Sequence, residues 1–260
     1  MRNKKKDGDF PYWLVAVAGL LVWAFWQVAS NDLYSDVFSK LKQGIGITIM
    51  VSVVGYLFAC LLGLALALMQ LSNSVVLRQI SRFYVEVMRG LPILVLLLYV
   101  AFVVAPALVA LWNWLPFQDI RTRDFPLLWR AVLALVLAYS SFLAEIFRAG
   151  LQSVDEGQIE AAETLGLSRW NRFRFVVFPQ AIRIILPPLG NDFVAMVKDS
   201  SLVSVVGVLD IAQIGKVTAA GNFRYFETYN VVALIYLTMT IGLSLAMRAL
   251  EQRMKQGSGR

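Results

Sequence analysis

The stretch QGIGITIMVSVVGYLFACLLGLALALMQLSNSVVL, Gln43 to Leu77, holds 35 residues without a charge between Lys42 and Arg78. A helix needs about 20 apolar residues to cross the ~30 Å hydrocarbon core of a bilayer, so this run exceeds one crossing. The crossing is placed at about Ile45 to Met69, with Ser72, Asn73 and Ser74 as a polar tail. Toward the N-terminus, 22 uncharged residues between Asp9 and Asp32 place another span at about Pro11 to Ala29. Toward the C-terminus, a third span is expected at about Val87 to Leu111 and a fourth at about Leu127 to Phe147, its clean core between Arg130 and Glu145. A fifth is expected to start after Pro187-Pro188, which lack N–H donors and should break the preceding helix, and to reach about Leu209. The sixth fills the 20 uncharged residues between Glu227 and Arg248. The fold class is therefore all-α, a polytopic membrane helix bundle.

Composition agrees, because 58% of the 260 residues are hydrophobic and 16% charged, far from the roughly 45–50% and 25% of soluble domains. The chain has no His, and its single Cys, Cys60, lies in an apolar run. Metal clusters, disulfides and His-dependent catalysis thus lack raw material, and no metal site is expected. The only Gly-Lys pair, Gly215-Lys216, has Asp210 where a phosphate-cradling loop needs glycine, so the chain has no nucleotide-binding loop of its own. The formal charge of +7 is topological, with no nucleic-acid partner implied. The N-terminus (Arg2, Lys4, Lys5, Lys6), the 70–89 and 148–183 segments and the C-terminus carry sixteen cations, and the alternate loops carry seven. The positive-inside rule puts both termini in the cytoplasm. The first apolar stretch is longer than a signal-peptide core and rich in Trp, so a retained anchor is expected.

Gly55, Ala59, Gly63 and Ala67 recur every four residues and stack on one helical face, where another helix can approach closely; membrane composition alone would also supply such residues. Glu86 with Arg89, and Glu145 with Arg148, sit at i,i+3 near the cytoplasmic interface. They read either as ion pairs that hold helix ends or as a collar positioning a cytoplasmic gate.

The segment from Ala149 to Pro179 has too much helix grammar for a passive connector. Ser153 and Glu156 have capping-box spacing, Gly166 offers a left-handed stop, and Ile159, Ala162 and Leu165 share a face. Ser168 should cap a second short helix, Arg169 to Val177, which Pro179 should end. Two short helices joined at Gly166 are expected to protrude from the membrane.

Glu160-Ala161-Ala162, then three residues, Gly166, nine residues and Val176-x-Phe178-Pro179 resemble the EAA loop of ATP-binding-cassette importer permeases, EAA-x3-G-x9-I-x-LP. The flanking text, AEIFRAGLQSV (Ala144 to Val154), PQAIRIILPPLGNDF (Pro179 to Phe193), KDSSLVSVVGV (Lys198 to Val208) and EVMRGLPILV (Glu86 to Val95), is similar to the polar amino-acid uptake branch. The resemblance covers about Gln43 to Arg248. Val176 and Phe178 depart from the pattern's Ile and Leu but stay apolar.

The resemblance implies a five-helix type I importer core with one extra N-terminal transmembrane helix. It divides the chain into 1–42 (basic start, extra helix and connector), 43–248 (transmembrane domain, coupling loop at about 149–179) and a cytoplasmic tail, 249–260. It also implies an inner-membrane permease subunit that translocates a polar or general L-amino acid, without enzymatic activity or a cofactor of its own. The partners implied are a cytoplasmic ATPase dimer that binds ATP and Mg, a second permease subunit, identical or paralogous, an external solute-binding protein and membrane lipid. Glu160, Ala161, Ala162, Gly166 and Pro179 would couple to the ATPase.

Charges inside a bilayer are functional candidates because burying them costs several kcal/mol. Lys198 and Asp199, with Ser200, Ser201 and Asp192 two turns earlier, read either as a path for a zwitterionic amino acid or as an interface between permease subunits. A secondary transporter or channel working without nucleotide is the competing class; internal repeats and several buried acids would mark it, and this chain offers an EAA loop instead. An intramembrane enzyme would need a nucleophile with a base or a metal site.

Overall fold

The computed structural model describes residues 12–115 and 119–256, so the basic start and Pro11 lie outside the described residues. α1 (Tyr12–Ser30) leads into α2 (Asp32–Gln70) through Asn31, whose extended backbone and side-chain acceptor for the Leu33 N–H start the second helix. α2 runs 39 residues, about 58 Å at 1.5 Å per residue, longer than a bilayer requires. α3 (Val75–Gly90) follows, capped by Ser74. Then come α4 (Ile93–Tyr99), a π turn over Val100–Val104 and α5 (Ala105–Trp112), one continuous apolar segment. A short 3-10 turn, Thr122–Asp124, precedes α6 (Leu127–Gln152). The hairpin helix α7 (Glu156–Thr164) leads to α8 (Arg169–Arg172), a π turn at Phe173–Val177 and α9 (Phe178–Asp199), which ends in 3-10 turns at Ser200–Val206. α10 (Ile211–Asn222) and α11 (Tyr225–Gln256) complete the described chain. Among the described residues, six segments are long and apolar enough to cross a membrane: Tyr12–Ser30, Asp32–Gln70, Ile93–Trp112, Leu127–Gln152, Arg169–Val206 and Tyr225–Arg253.

α6 is the axis of the bundle. Its Leu135 and Leu143 are sealed among Val51 of α2, Leu97 of α4, Met196 of α9 and Val203 of the 3-10 turns. The small-residue face of α2 makes the expected close contact, because a Cβ on Gly63 would lie 2.9 Å from Leu143 Cβ and 3.0 Å from the Ser140 carbonyl. Dispersion between tightly approached backbones replaces the hydrophobic effect in a lipid medium. A second cluster joins Val37 and Leu41 of α2 to Ile211 of α10 and to Val231 and Ile235 of α11. α1 buries no residue and leans on α2 and α11 across an apolar cleft of about 360 Å³ lined by Trp23, Tyr34 and Phe226.

Several expectations are corrected. The third crossing starts at Ile93, since Leu91 and Pro92 are extended and residues 87–90 finish α3. Pro92 at the cap of α4 leaves no donor for a continuous helix. Pro187 and Pro188 do not break a helix; both sit inside α9. Prolines are tolerated in membrane helices where neighbours and local π or 3-10 adjustments satisfy the freed carbonyls. Pro179 does not end the helix either. It sits in the first turn of α9, where its missing N–H is harmless, immediately after the π turn. Ser153 is not an N-cap: it closes α6 by donating to the Gly150 carbonyl at 2.7 Å, and Asp155 stands at the start of α7 without a side-chain capping bond. Leu165 falls beyond the end of α7 and is 81% exposed, so it leaves the face that buries Ala162.

Candidate coupling hairpin and translocation face

The α7 hairpin projects beyond the C-terminal end of α6. Its turn closes with the Leu167 N–H donating to the Ala162 carbonyl at 3.1 Å and the Gly166 N–H to Glu163 at 2.9 Å. That paired closure requires a left-handed residue, supplied by Gly166 at φ +77°. Ser168 then caps α8 by accepting the Asn171 N–H at 3.3 Å, as its spacing predicts. Two side-chain bridges fasten the hairpin to the returning helix: Arg172 pairs with Glu163 at 2.5 Å, and Gln180 Nε2 donates to Gln158 Oε1 at 2.6 Å. Ala162 is buried against the return, whereas Glu160, Ala161 and Gly166 face outward and Pro179 is half-buried. The hairpin therefore offers a short outward surface, small at Ala161 and acidic at Glu160, on a stiff base.

The four charges near the same end pair differently from their spacing. Arg89 reaches across to Glu145 at 2.9 Å, while Arg148 approaches Glu145 at 3.9 Å and donates to Gln152. Among the described residues Glu86 makes no ion pair, because Arg89 turns to α6 and lies over the Phe142 ring at 5.5 Å. The three grouped charges are more than one-third exposed, so each link contributes under about 1 kcal/mol. Their consequence is positional: the last turn of α3 is tied to α6.

On α9 the adjacent charges diverge, as adjacent helical positions must. Asp199 accepts the Tyr139 hydroxyl of α6 at 2.7 Å. Lys198 is exposed and, with Ser201, Ala212, Tyr236 and Thr240, lines an open cleft of about 450 Å³. Ser200 is buried and donates to the Val197 carbonyl at 2.8 Å. Asp192, half-buried, shares the Asp199 side of the helix two turns earlier, beside the Tyr56–Phe193 ring contact. The structure thus groups Lys198 with Ser201 and separates both from Asp199.

Two polar arrangements escaped sequence reasoning. Tyr139 was hidden inside the α6 apolar run. Asp210 is fully buried at the start of α10, where it accepts the Gln213 N–H at 2.8 Å and the Tyr236 hydroxyl at 3.0 Å, while the Ile211 N–H donates to Thr48 at 3.4 Å. Burial pushes the Asp210 carboxyl above its usual range, and the bonds from Gln213 and Tyr236 pull it back. A lone acid between two apolar runs was the available signal.

Crossing helices around a tightly packed α6, with one braced hairpin at a single end, define a polytopic membrane transport subunit. The chain belongs to the family of binding-protein-dependent transport system inner membrane components, which it matches over residues 59–256. It is 35% identical over 215 residues to the glutamine transport system permease protein GlnP of Escherichia coli, covering 83% of this chain and 93% of that protein. It is 36% identical over 219 residues to the probable amino-acid permease protein YxeN of Bacillus subtilis, covering 84% and 93%. The solved structure of an amino acid ABC transporter with histidines superposes with a TM-score of 0.71 at 35% identity, over 86% of this chain and 97% of that one. The MetNI methionine ABC transporter, inward facing, shares the fold at 18% identity and a TM-score of 0.64, over 83% and 96%.

Proposed function

We propose that this chain forms half of the translocation pore of an ATP-driven importer of polar amino acids. Both termini lie in the cytoplasm, and residues 43–248 form the transmembrane domain. A second permease, identical or paralogous, supplies the other half. A separate cytoplasmic ATPase dimer binds ATP and Mg, and an external solute-binding protein delivers the amino acid.

The observation that carries this reading is the braced hairpin. A helix presenting Glu160 and Ala161 outward, closed at Gly166 and bridged through Glu163–Arg172, can receive a push from a partner and pass it to α9 without folding back. Pro179, in the first turn of α9, continues that path. At the same end, Arg89, Glu145 and Arg148 form the collar that sets the gate, with Glu86 outside it. The pathway runs along α9. Lys198 and Ser201 edge an open cleft that a second permease would face, and the Lys198 ammonium suits a substrate carboxylate. Asp192, Asp199 and Ser200 support the wall behind it.

A cysteine at Ala161 in a Cys60→Ser background tests the reading. It should crosslink to the ATPase subunit in the assembled transporter, and scrambling residues 160–166 should abolish amino-acid uptake while the permease still inserts. Absence of any crosslink, or uptake unaffected by the scramble, refutes it. Lys198→Met separates the two roles of α9: lost uptake with an intact complex supports the pathway, and lost assembly assigns Lys198 to the subunit interface.

A further inference from the structure

α3 divides its surface into three sectors. One faces the bundle, where Ser81 Oγ donates to the Leu66 carbonyl at 2.8 Å, Tyr84 donates to the Leu137 carbonyl at 3.0 Å, and Val85 is buried. A second carries Val76, Ile80, Phe83 and Val87, at steps of four, three and four, which align on one stripe. That stripe is bare: Val76 is 65%, Ile80 53% and Phe83 73% exposed. The third carries Arg78, Gln79, Arg82 and Glu86, two cations against one exposed carboxylate. Arg78 donates to the Ser72 carbonyl at 2.8 Å, and neither Arg78 nor Arg82 has an ion-pair partner among the described residues.

The position of α3 is fixed by its neighbours. The chain leaves one membrane-crossing segment at Gln70 and enters the next at Ile93, so both flanks lie at the membrane boundary. The Arg89–Glu145 link places α3 at the end of α6 from which the α7 hairpin projects. An apolar stripe on a helix whose neighbouring sector holds two guanidinium groups outside any ion pair, against the single carboxylate of Glu86, and so a net positive charge at that depth, matches the acyl chains and anionic headgroups of one leaflet. We propose that α3 lies in the membrane interface and binds an anionic phospholipid, with Arg78 and Arg82 on the phosphate and Val76, Ile80, Phe83 and Val87 among the acyl chains. Because Arg89 ends the same helix and holds Glu145, the bound lipid sets how α3 seats against α6.

The test places an environment-sensitive fluorophore on Phe83→Cys, in a Cys60→Ser background, within the assembled transporter in nanodiscs. Spin-labelled phosphatidylglycerol should quench it more strongly than spin-labelled phosphatidylcholine, and aqueous iodide should not reach it. At about 1 kcal/mol per arginine near a charged surface, Arg82→Gln should lower the preference for phosphatidylglycerol by about fivefold, and Arg78→Gln/Arg82→Gln should bring it near parity while lipid quenching persists. Should the double variant fail to assemble, high salt on the unsubstituted arginines should lower the same preference by screening. Quenching by iodide would place α3 in water. Silence toward both quenchers would mean a protein covers the stripe. Equal quenching by the two lipids at every salt concentration would remove the phosphate role. Each of these results overturns the proposal.

Discussion

Gly44 and Gly46 are two residues apart on α2, yet substitution to Ala should move stability in opposite directions. A Cβ on Gly44 would lie 2.6 Å from the Ile211 nitrogen, 2.7 Å from the Asp210 carbonyl carbon and 2.9 Å from its oxygen. All three are backbone atoms, about 1 Å inside comfortable contact, so no rotamer change relieves the clash. The start of α10 would have to retreat and stretch the Ile211–Thr48 bond, already 3.4 Å. Overpacking costs about 1–3 kcal/mol and the weakened hydrogen bond about 1, against about 1 gained from replacing a helical glycine. The net loss of about 1–3 kcal/mol corresponds to a melting temperature about 3–10 °C lower. A Cβ on Gly46 meets nothing within 4 Å, so Gly46→Ala should melt at or up to about 3 °C above the parent. Fluorescence melting of the purified permease in detergent, at one scan rate because membrane proteins unfold irreversibly, reads both. The packing argument fails if Gly44→Ala melts at or above the parent, or if Gly46→Ala falls with it.

Asp210→Asn keeps the capping acceptor and removes a buried charge, so it should melt at or above the parent near neutral pH, whereas Asp210→Ala should lose about 1–3 kcal/mol. The folded chain holds this proton more tightly than the unfolded one. The parent therefore loses stability as pH rises from the ordinary carboxylate range through the raised value, and the advantage of Asn should appear across that window and vanish below it in a pH series of melts. Arg130 donates to the carbonyls of Phe125, Ala101 and Thr122. Lys cannot span all three, so Arg130→Lys should cost at least about 2 kcal/mol in the same melt despite retaining the charge. Gly166→Val forces a β-branched residue to φ +77°, at about 1–2 kcal/mol confined to the hairpin. It should reduce co-purification of the ATPase with little change in melting of the bundle.

What could be read in the sequence follows its periodicities. Apolar runs located five crossings because hydrocarbon thickness sets their length, although the third starts at Ile93, six residues later than expected; the fifth, which carries Asp192, Lys198 and Asp199, was placed by its prolines and starts well before them, at Arg169. The four-residue repeat from Gly55 to Ala67 marked the face that meets α6. The Gly166 closure was legible because few residues accept a left-handed backbone. Proline misled at Pro179, whose missing donor falls harmlessly in the first turn of α9 after a π turn, and at Pro187-Pro188, which α9 carries in its interior. The Ser153–Glu156 spacing misled because two competing helix ends overlap there, and Ser153 serves the earlier one. Partner choice was invisible: Arg89 has Glu86 one turn away in sequence but Glu145 nearer in space. Tyr139 with Asp199, and Asp210 with Tyr236, are contacts between distant segments that no local pattern encodes.

The helical path from Arg169 to Asp199 runs without a break, from the foot of the hairpin into the depth of the bundle. It is gripped most closely where Gly150 admits Ile185, whose Cγ1 would stand 2.1 Å from any added Cβ. A stiff shaft held at one collar behaves as an oar: a stroke on the outer blade swings the inner blade the opposite way. On the coupling proposed above, Gly150 would be the oarlock, and filling it should jam the stroke even with both blades intact.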